Sequence, residues 1–198
     1  MHMHQIPKDV VYYEAGPLRS NLPDHFLSSY IIRSIIRVDG QLFPQSGRKI
    51  DNVMGRAIFA GVKTISTAVV SFDSDRIRIY NSNGDNLRQL SYQMSEAIQL
   101  APILGMAGAN FATSLLITIF TTQETIVFVN PGLKAAPSLF KFLKTTELKI
   151  EDPFKLQERL AKSSVMDVTQ KYRFTYPKEA EKLGYPEFIG NVGAIWGE

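Results

Sequence analysis

The sequence predicts an α/β protein of the α+β kind, with helices packed on a mostly antiparallel sheet, N-terminal helices and a C-terminal arm. Two pairs of apolar, β-branched runs, at residues 64–80 and 111–130, flank one set of apolar residues at helical spacing. This order favours strand hairpins covered by a helix. A chain of 198 residues suits one domain. We place that domain at residues 21–171, between an N-terminal segment 1–20 and an arm 172–198.

The N-terminal part is predicted to hold a short edge strand and two helices. Val10 to Tyr13 forms the strand. Asn21-Leu22-Pro23-Asp24 joins a capping residue, a first-turn proline and an acid, which is typical of a helix start. Apolar residues at helical spacing then lead to a stop at Gly40, namely Phe26, Leu27, Tyr30, Ile31, Ile35 and Val38. A second such set, from Ile50 to Gly61, predicts another helix.

The first hairpin is predicted from Thr64 to Tyr80. Thr64 to Phe72 is rich in β-branched and apolar residues, which suits a largely buried strand. Asp73-Ser74-Asp75 interrupts the run. Arg76 to Tyr80 then alternates charge and bulk, so one face of this second strand is expected to be wet. The short polar connection favours antiparallel pairing.

A helix is predicted between the hairpins. Asn81-Ser82-Asn83-Gly84-Asp85 has the composition of a turn and can cap the helix that follows. Pro102 and Gly105 are expected to end it, because proline cannot continue the helical hydrogen bonds. The apolar stripe consists of Leu87, Leu90, Met94, Ile98 and Ala101.

Two strands follow the helix. Phe111 to Thr121 is apolar on both faces and is expected to be a central strand, and Glu124 to Asn130 forms the last strand before Pro131-Gly132. Ala97 to Gln123 has no charged residue and is long enough to cross a bilayer. We reject a membrane span there because prolines, glycines and threonines interrupt the run and its periodicity changes halfway.

The C-terminal part is predicted to hold two short helices and the arm. Pro137 to Leu143 is the first helix, and Glu151-Asp152-Pro153 opens the second, which ends near Lys162. After them, aromatic residues alternate with charges, prolines and glycines. Aromatic side chains need somewhere to bury, so the arm is expected to dock onto its own core or onto a partner protein. The residues assigned to this contact are Phe174, Tyr176, Tyr185, Phe188 and Trp196.

Composition limits the chemistry. The chain has no cysteine, which excludes disulfides, thiolate catalysis and cysteine-bound zinc. His25, the one histidine outside the terminal Met1-His2-Met3-His4, is expected at the surface, and the terminal histidines are expected to lie in a loose tail. No catalytic or cofactor-binding residue is assigned, and no cofactor is expected. A net charge of +3 is spread along the chain, so nucleic acid is not the expected partner, and no apolar leader is visible, so the cytoplasm is the expected location.

Asp73 and Asp75 offer an alternative function. Asp73-Ser74-Asp75 follows a strand and resembles the Asp-x-Asp element with which many glycosyltransferases hold a divalent metal and a sugar nucleotide. Two carboxylates at this spacing suit a hard cation. A hairpin turn explains the same residues through bonds from side chain to backbone. The metal-dependent transferase is therefore kept as the rival interpretation.

The order of elements from Thr64 to Pro131 is similar to the roadblock and profilin-like scaffolds. The resemblance rests on Asp73-Ser74-Asp75 in a hairpin turn and on the apolar stripe from Leu87 to Ile98. In the roadblock family such a hairpin and helix build a small non-enzymatic dimer. The resemblance implies a protein-binding function in a homo- or hetero-oligomer. The lack of a complete catalytic signature, together with the aromatic arm, favours a non-enzymatic adaptor or assembly subunit of a larger complex, of the secretion or viral type.

Overall fold

A computed structural model describes residues 4, 11–13, 30–43, 68–80, 86–107, 110–122, 125–185 and 189–191. In these ranges the chain forms strands, three helices and one 3-10 turn at Tyr92–Met94. The helices are α1 (Ala136–Leu143), α2 (Leu156–Lys162) and α3 (Val165–Leu183). The strands are β1 (Val11–Tyr13), β2 (Tyr30–Val38), β3 (Gln41–Phe43), β4 (Ala68–Phe72), β5 (Arg76–Tyr80), β6 (Asn86–Ser91), β7 (Ser95–Ala107), β8 (Asn110–Thr121), β9 (Thr125–Pro131), β10 (Lys149–Glu151) and β11 (Ile189–Asn191).

The strands form two mixed sheets that share β2. The order across both is β10-β7-β8-β9-β2-β4-β5-β6, with β1 and β3 also paired to β2 and β11 to β7. Ile31 to Arg33 of β2 pair in parallel with β9, whereas Ser34 to Val38 pair in parallel with β4. The long β7–β8–β9 and β4–β5–β6 pairings are antiparallel. The predicted α+β class, with a mostly antiparallel sheet and packed helices, is confirmed.

The strands predicted around the second hairpin are confirmed. β8 and β9 cover the predicted runs, and six successive residues of β8, Leu115 to Phe120, are buried. Burial on both faces is what a central strand requires. Residues 97–107 and 110–121 therefore form two paired strands rather than one continuous helix. Among the described residues, no helix has the length and apolar character needed to span a membrane.

The first hairpin also matches its prediction within the described residues. β4 and β5 pair antiparallel, with Phe72 opposite Ile77, and the Asp73 N–H bonds the Arg76 carbonyl at 3.0 Å. Ile77 and Ile79 are buried, whereas Arg76, Arg78 and Tyr80, which alternate with them, are only partly buried. Alternation of this kind reports one buried and one wet face. The predicted start of the strand, residues 64–67, lies outside the described residues.

The helix predicted from Leu87 to Ala101 is wrong. This stretch forms β6, the 3-10 turn and the first half of β7. Spacings of three and four match a helical stripe by coincidence, because Leu90 faces the core from β6 and Ile98 from β7. Met94, placed in the supposed stripe, is largely exposed. β7 is buried on both faces at Ala97 to Ala101, so it lacks the alternation that identifies a strand.

The N-terminal helix predicted up to Gly40 is also wrong where the structure describes it. Tyr30 to Val38 form β2, whose β-branched residues suit a strand between two neighbours. Asp39 and Gly40 have φ of 46° and 78°, which is the two-residue turn into β3 rather than a helix stop. The edge strand predicted from Val10 to Tyr13 is confirmed over Val11–Tyr13 as β1, and Val10 lies outside the described residues. The predicted helix from Ile50 to Gly61 lies outside the described residues.

The two short C-terminal helices are confirmed, with one shift. α1 has proline in its first turn, as predicted. α2 begins at Leu156 rather than at Glu151, because Asp152 caps it by accepting the Leu156 and Gln157 N–H groups at 2.7 and 2.8 Å. Glu151 instead ends the short strand β10 beside β7.

The irregular arm predicted from residue 172 is wrong as far as Leu183. α3 runs through it, from the cap Ser164 to Gly184, whose φ of 72° closes the helix. Pro177 lies inside the helix, so the Arg173 carbonyl lacks the N–H that would bond it. The helix persists because one stripe is buried in the common core, at Val168, Tyr172, Tyr176 and Ala180.

Candidate functional site

The inner face of α3 carries an aromatic cluster. Phe154 stacks on Tyr176 at 5.5 Å between ring centroids and meets Tyr185 and Tyr172 edge-on at 4.9 and 6.2 Å. The Tyr172 hydroxyl donates to the Phe154 carbonyl at 3.3 Å. Burial raises the pKa of the Tyr176 and Tyr185 phenols above their ordinary range. Two residues assigned to partner binding, Tyr176 and Tyr185, thus pack within the protein itself.

The outer face of α3 presents Phe174, with an exposed fraction of 83%. At about 100° per residue, Phe174 points away from the buried stripe that centres between Tyr172 and Tyr176. All other aromatic side chains that the structure describes are buried or partly buried. Met166, two turns earlier on a neighbouring line, is 67% exposed. The "outer face of α3" denotes the exposed side chains Met166, Asp167, Gln170, Lys171, Arg173, Phe174, Lys178, Glu181 and Lys182.

This outer face is basic. Lys171 and Lys178 stand three and four residues from Phe174, so their side chains flank the ring. Arg173 and Lys182 add two further cations. None of these four forms an ion pair with another residue in the described part of the chain. Two exposed acids share this side of the helix, Glu181 and Asp167, the latter two turns before Phe174.

Glu179, the third acid of α3, is paired with a residue of another helix. Arg159 of α2 holds Glu179 with two parallel bonds of 3.0 and 2.8 Å, a geometry that fixes both partners. Asp167 accepts the Ser164 hydroxyl at 2.6 Å as part of the helix cap, but a neutral hydroxyl does not cancel its charge. The outer face therefore keeps four cations against the two acids Asp167 and Glu181.

Asp73 and Asp75 lie together in the β4–β5 turn, as predicted, and arginines occupy both carboxylates. Asp73 accepts bonds from the Ser71 hydroxyl at 2.8 Å and from Arg78. Asp75 accepts from Arg76 at 2.5 Å and lies 3.6 Å from Arg78. The Arg76 hydrogen bond is the largest cause that keeps the pKa of Asp75 below its ordinary value.

A metal ion at this turn would have to displace those arginines. Within the described residues, no three His, Cys, Asp or Glu side chains are placed to hold a metal together. Arg78 and Arg76 thus act on the aspartates as structural partners of the hairpin. No feature of the turn favours the transferase interpretation over the turn interpretation.

A second polar cluster centres on Glu151, whose side chain is 2% exposed. It accepts the Lys149 ammonium at 2.6 Å, the His4 ring and backbone nitrogens at 3.0 Å, and the Gln99 amide at 3.1 Å. Tyr185 donates to the other end of Gln99. Burial raises the pKa of Glu151, but the bonds from Lys149, His4 and Gln99 outweigh it and the pKa is lowered.

The predicted sites did not include this cluster. Glu151 was predicted at the start of a helix, and His4 was predicted in a loose tail. His4 instead stacks on Phe120 at 4.5 Å between ring centroids. The available sign was Gln99, a polar residue in the uncharged run from Ala97 to Gln123, because a buried amide requires partners. The cluster fastens residue 4 to β7 and β10.

The described surface also has a shallow depression of about 430 Å³ beside α2, lined by Asp152, Lys155, Gln157, Glu158 and Ala161. Asp152 is already used to cap α2, and burial raises its pKa. Glu158 accepts a hydrogen bond from the Lys162 ammonium at 2.6 Å. Both carboxylates that line the depression are thus already bonded within the protein.

Of the remaining assigned residues, Phe188, Trp196 and His25 lie outside the described residues. Comparison of the chain with protein-family models, with curated proteins and with solved structures gives no match. Among the described residues, the outer face of α3 is the candidate site, because it carries the one described aromatic ring that is exposed.

Proposed function

We propose that the protein is a non-enzymatic adaptor or assembly subunit of a larger complex, located in the cytoplasm, and that it binds a partner protein through the outer face of α3. Phe174 carries the proposal. Burying a phenylalanine side chain is worth about 2 kcal/mol, and this one stays in water at 83% exposure. The exposed ring of Phe174 therefore does not stabilise the isolated chain.

The geometry of α3 suits a protein interface. A helix of 19 residues is about 28 Å long, which is enough to lie along a partner's groove. Interfaces concentrate their binding energy in a few aromatic and arginine anchors surrounded by polar residues. Phe174 and Arg173 are such residues, and the stripe at Tyr172 and Tyr176 holds the helix rigidly beneath them.

The test begins with a photo-crosslinking amino acid, p-benzoylphenylalanine, placed at position 174 in cells that normally express the chain. The matched control places it at Met94, another exposed apolar side chain at 56% exposure. We expect one discrete adduct from position 174 that is absent from position 94. Mass spectrometry identifies the adduct, and the purified partner is then tested for binding.

With the purified partner, Phe174→Ala should weaken binding by about tenfold or more, as expected for an anchor residue, and Met94→Ala should leave it unchanged. Mass measurement in solution gives the composition of the oligomer. If position 174 yields no adduct beyond the control, or if Phe174→Ala binds as the wild type does, the proposed function is wrong.

A further inference from the structure

We infer that the partner presents acidic side chains around an apolar pocket, and that the pocket receives Phe174 while the carboxylates meet the cations beside it. The inference rests on the proposed function and adds the chemistry of the partner. It follows from the juxtaposition of one exposed ring with Lys171, Arg173, Lys178 and Lys182 on one helix.

The outer face carries more positive than negative charge. The bidentate Arg159–Glu179 pair neutralises one of the two acids between Lys178 and Lys182. Four cations against the two remaining acids, Asp167 and Glu181, leave an excess of positive charge on this surface. Complementary charges speed association and set register, so acids are the side chains that this field selects.

A protein fits the outer face better than the other anionic partners do. Single-stranded nucleic acid needs several aromatic rings for successive bases, and α3 exposes one. A lipid surface needs a continuous apolar face, whereas Met166 and Phe174 stand about 12 Å apart along the helix with polar residues between them. One anchor with a charged rim is the usual composition of a protein interface.

The first test measures binding of the full chain to a labelled peptide in which Glu and Asp surround two leucines, by fluorescence anisotropy. The comparison ligands are the same peptide with Gln and Asn in place of the acids, an oligothymidine strand, and vesicles of phosphatidylcholine with phosphatidylserine. We expect the acidic peptide to bind tightest and its affinity to fall with added salt.

Two double variants separate the effect of charge on the outer face of α3 from the effect of the net charge of the chain. Lys171→Glu with Lys178→Glu should weaken acidic-peptide binding by about tenfold or more, because attraction becomes repulsion. The matched control, Lys134→Glu with Lys141→Glu, makes the same change of net charge at two exposed lysines near α1 and should change binding less than about twofold. Equal melting temperatures of both double variants confirm that each is folded.

The inference is overturned if the neutral peptide, the oligothymidine strand or the vesicles bind better than the acidic peptide. It is also overturned if the α3 double variant and the control double variant bind alike. Failure here is distinct from failure of the proposed function. A crosslinked partner that loses affinity for Phe174→Ala, yet binds the lysine variants as it binds wild type, supports the function and refutes the acidic partner surface.

Discussion

Replacement of Glu151 by glutamine should strongly destabilise the fold. An amide has one oxygen and one NH₂ group, whereas the carboxylate accepts bonds on both oxygens. Oε1 faces the Lys149 ammonium, and Oε2 faces the His4 N–H and the Gln99 amide. In either orientation the new NH₂ meets a group that can only donate. The variant therefore loses the negative charge and at least one hydrogen bond.

The magnitude follows from burial of the site. Breaking one side of a buried ion pair costs about 3–5 kcal/mol. The Lys149 and His4 side chains are each 32% exposed, and solvent screens part of their interaction. We therefore expect a loss of about 2–4 kcal/mol in the free energy of unfolding at pH 7.

Urea denaturation followed by circular dichroism measures this loss, with Glu96→Gln as the control. Glu96 lies 3.5 Å from the other His4 nitrogen but is half-exposed, so its replacement should cost less than about 1 kcal/mol. Equal denaturant slopes in all three proteins show that the denatured states are comparable.

The pH dependence supplies a second check. The pKa of Glu151 is lowered from its ordinary 4.5 by the fold. A lowered pKa stabilises the protein above the unfolded value, and this contribution disappears as the pH falls through the folded value. The difference between wild type and Glu151→Gln should thus be constant above pH 4.5 and shrink below it. A loss under about 1 kcal/mol at pH 7, or a difference that does not shrink in acid, would refute the reasoning.

Four further replacements test separate parts of the structure. Thr118→Val removes a buried hydroxyl that has no hydrogen-bond partner among the described residues, and should raise the free energy of unfolding by about 1 kcal/mol; a decrease in the same titration would contradict this. Phe154→Ala removes the ring packed between Tyr176 and Tyr185 and should cost about 3–5 kcal/mol, whereas Phe174→Ala should change stability by less than about 0.5 kcal/mol. Asp73→Ala breaks the bond to Arg78 and should lower the melting temperature equally with or without manganese and a sugar nucleotide; ligand stabilisation of the wild type that vanishes in the variant would favour the transferase instead.

Local patterns identified some strands that have one wet face or an explicit turn at their end. β5 was predictable because Arg76 and Arg78 alternate with Ile77 and Ile79, and β9 because Pro131-Gly132 closes it. The buried stretches were harder. β7 has apolar residues on both faces, so helical and strand spacings fit its residues equally well.

Pro102, which was predicted to end a helix, is part of a strand. It lies in β7 opposite Leu115 of β8, between the residues paired to β10 and those paired to β11. On that side no described strand requires its missing N–H, so a strand accommodates proline there. Pro177 is tolerated inside α3 for a different reason, because burial of Tyr172 and Tyr176 outweighs the lost bond. Neither compensation is visible without the tertiary partners.

The candidate site was predictable only in part. The concentration of aromatics from residue 172 was interpreted as an irregular arm, although the spacing of four at Tyr172 and Tyr176 is also a helix pattern. Once the helix is known, Phe174 falls on the opposite side from these tyrosines. Glu179 pairs with Arg159 of another helix rather than with Lys182, three residues further on, and no sequence spacing predicts such a pair.

The division of β2 between two partners has a consequence for how the chain acquires its structure. Residue 31 pairs with residue 127, and residue 35 with residue 69, so the strand must be joined from both sides by distant parts of the chain. Contacts this far apart in sequence slow the search for the native state. Because β2 is a strand of both sheets, neither sheet is complete without it. We therefore expect the two sheets to unfold in one cooperative transition rather than successively.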